Sequence, residues 1–170
     1  MNFGKFINAT PLRCEWLRQE SWCVLWKVDI WEYFADTMKP LTYVCPPGIV
    51  LGGIHLPEGT QLQPDRHFIT DFGSIPPPLM ALPSFSRTRF IHSYLSHDSG
   101  YKIGGVYILY PQETLFHFMP LSKEDMDNLL LVWCGAEGAN YVQRHTIYRA
   151  VRVASLWVKY PQSPRSKSVT

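Results

Sequence analysis

Charge is scarce in this 170-residue chain: Asp, Glu, Lys and Arg make up 18% of it, against about 25% in an average soluble protein. What charge there is almost cancels, leaving a formal net +2, too little to point to nucleic acid as a partner. Cysteine is also sparse. Cys14, Cys23, Cys45 and Cys134 show no C-x-x-C spacing, which argues against a zinc knuckle, a redox motif and a disulfide scaffold and leaves reduced, mostly buried thiols. Long apolar runs are missing too. The longest uncharged stretch, Pro40 to Pro57, is broken by Pro46, Pro47, Gly48, Gly52 and Gly53, so no membrane-spanning helix is expected. The first residues, Met1-Asn2-Phe3-Gly4-Lys5, contain no apolar h-region; no signal peptide is expected, and synthesis in a cytoplasm is. No G-x-x-x-x-G-K-[ST], G-x-S-x-G, H-E-x-x-H or G-x-G-x-x-G occurs, which removes the common NTPase, esterase, zincin and dinucleotide readings.

What is present is apolar and aromatic. A hydrophobic fraction of 46% fills the core of one ordinary domain. Aromatics reach 14%, and their pairing with few charges suggests a surface partly covered by other proteins.

The first half of the chain reads as β and the second as α. Cys23 to Trp31 is rich in β-branched and aromatic residues and predicts a strand. Leu41–Cys45, Ile49–Leu51, Ile54–Leu56 and Phe68–Asp71 predict further short strands, separated by Pro and Gly turn chemistry. Pro76, Pro77 and Pro78 end the β region. A helix is expected through Phe90–Asp98 with Gly100 as its stop. Val106–Tyr110 is strand or helix; periodicity does not decide. Ser122-Lys123-Glu124-Asp125 has the form of a capping box, followed by Met126, Leu129, Leu130 and Trp133 at helical spacing. A last helix is expected over about 140–157, with Ile147, Val151, Ala154 and Val158 on one face. The result is an α+β fold, a small N-terminal antiparallel sheet packed against about three C-terminal helices. Residues 1–40 form a segment packing on the core or on a partner, 40–160 a single domain, and 161–170 a disordered tail.

Four places carry chemistry. His97-Asp98 ends a helix whose stripes place both side chains toward the apolar side, whereas His92, about 140° round the helix, faces elsewhere. A buried carboxylate must be paired, hydrogen-bonded or metal-bound, so the pair is either structural, tying helix to sheet, or a metal or catalytic site. Thr70-Asp71-Phe72-Gly73-Ser74-Ile75-Pro76 is a tight turn in which side-chain oxygens satisfy backbone N–H groups, or one that presents Asp71 to a cation. Asp127 is either a solvated first-turn carboxylate or a fourth ligand. His145, Arg149, Arg152 and Lys159 form a basic stripe that is solvated or neutralises buried aspartates.

In order along the chain, Leu56-Pro57-Glu58-Gly59, Thr70-Asp71-Phe72-Gly73-Ser74-Ile75-Pro76, His97-Asp98-Ser99-Gly100-Tyr101, Asp127 and Tyr148-Arg149-Ala150-Val151-Arg152 resemble a phage-associated domain-of-unknown-function family, number 1353. Its pattern runs roughly V-P-x-G-F-x-T-D-x-x-S-x-P-R, H-D-x-x-Y, A-D and A-V-R. The likeness spans about residues 40–157. Two departures stand out: Thr60 to His67 is inserted between the turn and Phe68, and Pro77 replaces the arginine that often follows the proline. Should that arginine pair with Asp71 or Asp98, either Arg149 or Arg152 takes its place or an activity has been lost.

The resemblance implies a bacteriophage protein made in the host cytoplasm. The first expectation is a virion component of the tail or baseplate, present in several copies among other phage structural proteins, with no nucleic-acid or membrane role. In it Thr70, Ser74, Tyr101, Arg149 and Arg152 belong to an internal structural cluster around the acidic residues. The alternative is a metal-dependent hydrolase of the cell wall or a phosphoester, its divalent ion held by Asp71, His97, Asp98 and Asp127. An open coordination position inside a cleft separates the second from the first.

Overall fold

The computed structural model describes residues 2–9, 12–23, 26–72 and 88–154. Strands β1 (Lys5–Ile7), β4 (Thr42–Val44), β7 (Gln61–Gln63), β9 (Gly105–Leu109) and β10 (His117–Pro120) form a five-stranded antiparallel sheet in that order. A second sheet pairs β2 (Arg13–Cys23), β3 (Trp26–Phe34) and β8 (His67–Thr70), and β5 (Val50–Leu51) with β6 (Ile54–His55) makes a small hairpin. Helices α1 (Ile91–Ile103), α2 (Lys123–Ala136) and α3 (Tyr141–Ala154) follow. The fold is α+β, with its sheets mainly N-terminal and its helices C-terminal. Among the described residues no helix is long and apolar enough to cross a membrane.

The five-stranded sheet packs on α2. Tyr43, Leu62, Val106 and Ile108 meet Met126, Leu129 and Trp133 in one apolar cluster. These are the helix positions that the i, i+3, i+4, i+7 spacing places on one face. The capping box is present, Ser122 accepting from the Asp125 amide and Asp125 from the Ser122 amide. A second cluster, built from Phe90, Tyr94, Leu130, Cys134, Ile147 and Val151, holds the three helices together. Ala154's side chain and Val158 of the expected α3 stripe, like the triple proline and the tail, lie outside the described residues.

The end of α1 differs from expectation. Gly100 does not end α1; it lies buried inside the helix, which stops three residues later, with Gly104 in the left-handed conformation at φ 73°. Gly100 is a contact residue, since a Cβ there would come within 1.9 Å of Met126 Cε. The ambiguous run at 106–110 is a strand, β9, wedged between β7 and β10.

The N-terminal segment docks on the body of the chain. β1 pairs with β4, and Phe6 packs edge-on to Tyr43 at 5.4 Å between centroids. The Phe3 ring lies against Gly135 and beneath the Arg144 guanidinium. β2 and β3 form a long ribbon that β8 joins only at Trp31–Phe34.

Candidate functional site

The polar centre of the molecule is built where the three helices meet. α1 carries His97 and Tyr101, one turn apart and therefore on one face, with ring centroids 4.3 Å apart. α2 brings Asp127 to that face. The α2 cap at Ser122 makes Asp127 its fifth residue, past the first turn, and its exposure is 0%. The solvated first-turn reading of Asp127 is therefore wrong: the helix face that buries Met126 and Leu130 buries it as well.

All of the Asp127 carboxylate is engaged. Oδ1 accepts from His97 Nε2 at 3.1 Å and from the Tyr101 hydroxyl, and Oδ2 receives Arg152 Nη1 of α3 at 3.4 Å. His97 is only 4% exposed. Burial by itself opposes ionisation of Asp127, but hydrogen bonds from His97 and Tyr101 and the charges of His97 and Arg152 outweigh it. Its carboxyl is held below its ordinary value. A buried anion with two hydrogen-bond donors and a cation is a satisfied group. Arg152, one of two arginines expected to neutralise Asp71 or Asp98, reaches Asp127, while Arg149 is exposed.

A second tie joins α1 to the smaller sheet. The Thr70 hydroxyl donates to Asp98 Oδ2 at 2.5 Å and accepts from the Phe72 amide at 2.9 Å. This is the side-chain-capped turn expected there, and it holds Phe72 at a positive φ of 56°. One residue on, Ser99 Oγ accepts from the Asp65 amide at 2.7 Å. Asp71 follows Thr70 and is half-buried; Ser74 lies outside the described residues.

Of the four groups expected to share one ion, His97 engages Asp127, whereas Asp98 engages Thr70. Among the described residues no group of three or more His, Cys, Asp and Glu side chains is placed to hold a metal ion. The Asp127 centre orients an imidazole, as a general base requires, yet Asp127 itself is sealed by side chains from all three helices.

Sequence reasoning missed a third polar centre. His92 does face away from His97, as its spacing demands, and meets Glu137 at the end of α2 and the Ala9 carbonyl. Glu137 also accepts from the amide and hydroxyl of Ser93, so it caps α1 from another helix. A carboxylate 45 residues from the amide it caps leaves no local pattern to read. Cys14, Cys45 and Cys134 are free thiols. Burial pushes Cys14 up to about 11 and Cys45 to about 12, which disfavours the reactive thiolate form of both.

Comparison with known proteins returns nothing to place beside this geometry: no family model matches the chain, and no curated protein or solved structure does either.

Proposed function

We propose that this chain is a structural protein of a bacteriophage particle, a tail or baseplate component that works by packing against neighbouring subunits. The observation that carries this reading is the β2–β3 ribbon. Its register runs from Arg13↔Phe34 to Cys23↔Trp26, but β8 supports it only at Trp31–Phe34. A two-stranded ribbon alone is marginal in water, so one of this length is best explained by a neighbour that covers it. Trp16, opposite Trp31 where the β8 pairing ends, is 56% exposed, and an aromatic anchor there suits an interface. The closed Asp127 centre agrees with this, because a pin between helices serves a scaffold and a hydrolase needs an open ligand position. The phage assignment itself comes from the ordered motifs.

Particles of the encoding phage, purified and analysed by mass spectrometry, should contain the chain in stoichiometric amounts. Limited proteolysis should cut the ribbon in isolated protein and spare it in the particle. Equal cleavage in both states, together with a bound divalent ion by elemental analysis and turnover of a cell-wall or phosphoester substrate, would replace this reading with the hydrolase one.

A further inference from the structure

The outer edge of β2 has no strand partner among the described residues, because β2 ends the order β2-β3-β8. Such an edge is a template for another strand. Its side chains indicate which one. Arg13, Glu15, Arg18 and Glu20 stand opposite Phe34, Glu32, Ile30 and Val28, every second residue of β3, so the four share one face of the ribbon. The irregularity between Trp16 and Arg18 inserts Leu17 and keeps them in phase. All four are exposed. Along the edge the signs therefore run plus, minus, plus, minus.

A row of that kind is complementary to its own reverse. We propose that β2 pairs antiparallel with β2 of a second copy about a two-fold axis, joining two three-stranded sheets into one. In the register centred between Trp16 and Leu17, Arg13 meets Glu20 of the second copy and Glu15 meets its Arg18, and symmetry repeats both contacts. Every charged pair is then of opposite sign, the favourable case for directly opposed residues. Residues on one face of a strand also share their hydrogen-bonding direction, so this register opposes like with like in the ladder as well. Both copies carry the same extra residue at the axis, so neither strand slips against the other. The axis brings the exposed Trp16 beside Leu17 of the second copy. Natural edges are blunted by charge and by bulges; charge of one sign would repel a second copy, whereas this alternation invites one.

Within each chain, Arg13 now bonds Glu15 at 3.2 Å and Arg18 bonds Glu20 at 2.6 Å. These exposed intrachain pairs contribute little and exchange for the intermolecular ones on pairing. The inference needs only the ribbon as a contact surface and goes beyond the assignment to a phage particle by naming a second copy as the partner.

The experiment is a charge-complementation series on the full chain, read by sedimentation equilibrium. Wild type should approach twice the 19.6 kDa chain mass as concentration rises. Arg18→Glu and Glu15→Arg each set like charges opposite one another twice per dimer, and each alone should self-associate about tenfold more weakly or worse. An equimolar mixture restores opposite signs at every contact and should recover the heterodimer. Recovery in the mixture also shows that both variants are folded. A wild type that stays monomeric, or a mixture no better than its components, overturns the proposal. A chain that dimerises this way yet is missing from particles would overturn the phage reading and leave this one standing; a monomer found in particles would do the reverse.

Discussion

The imidazole of His92 lies between two groups that can only accept: the Glu137 carboxylate, 2.6 Å from Nδ1, and the Ala9 carbonyl, 2.6 Å from Nε2. Both contacts are hydrogen bonds only when both ring nitrogens carry protons, so the geometry is that of an imidazolium. Glu137 is the titratable group facing it among the described residues; the N-terminal segment presents the Phe6 ring and the Ala9 carbonyl.

Stability should therefore fall as pH rises past neutral. Burial by itself lowers the His92 pKa, but hydrogen bonds to Glu137 and Ala9 and the Glu137 charge outweigh it, leaving it raised above 6.5. A raised value means a contribution fully present below the unfolded pKa and lost as pH climbs through the folded one. Thermal melts over a pH series should show wild type more stable than His92→Gln by about 1–3 kcal/mol on the acid side. The gap should close at alkaline pH, and a constant gap would show that the ring is not charged.

Asp127→Asn should cost about 3 kcal/mol or more, because it leaves His97, Tyr101 and Arg152 around a neutral amide in a fully buried site. Arg152→Ala should cost far less, about 1 kcal/mol or below, since its side chain is 43% exposed and the ion pair is screened. The Asp127 carboxyl sits below its ordinary value, so wild type should lose this advantage as pH falls through the lowered value. Chemical denaturation of both variants at neutral and acid pH tests the ranking and the direction.

Gly100→Ala should destabilise despite a helix-propensity gain of about 1 kcal/mol. The new methyl would lie 1.9 Å from Met126 Cε and 2.7 Å from its Sδ, and Met126 is fully buried. A net loss of about 1–3 kcal/mol is expected from overpacking. Adding Met126→Ala should recover part of it in a double-mutant cycle.

Gly135→Ala tests how the N-terminus is held. Its methyl would come within 2.6 Å of Phe3 Cγ, displacing the ring from beneath Arg144. Faster amide hydrogen exchange in β1, with the helices unchanged, is the expected signature.

Much of the architecture was legible because it rests on local signals. The α2 cap, its apolar stripe and the side-chain-capped turn at Thr70 all depend on residues within a few positions of one another. β2 was not legible: Arg13-Cys14-Glu15-Trp16 alternates polar and apolar, but the extra Leu17 breaks the period and Arg18-Gln19-Glu20-Ser21 has no apolar residue to continue it. Nor was β7, where Gln63 is buried only because its amide donates to Thr42 Oγ1 at 2.9 Å. At Gly100 a stop signal and a close-packing residue look alike in sequence. His97 and Asp98 are adjacent in sequence, but their partners come from elsewhere: Asp127 is 30 residues from His97 and Thr70 is 28 from Asp98. No spacing rule connects such pairs.

The order β1-β4-β7-β9-β10 is also the order in which these strands leave the ribosome. Each new strand adds to the edge formed by the one before it, so the main sheet grows in one direction during translation. The helices that cover its face are made among the last strands and after them. A nascent chain interrupted before residue 117 exposes the edge of β4, β7 or β9, whose Tyr43, Leu62 and Ile108 are buried in the finished protein. Such unpaired, apolar edges are where aggregation starts, so synthesis is this fold's most vulnerable stage.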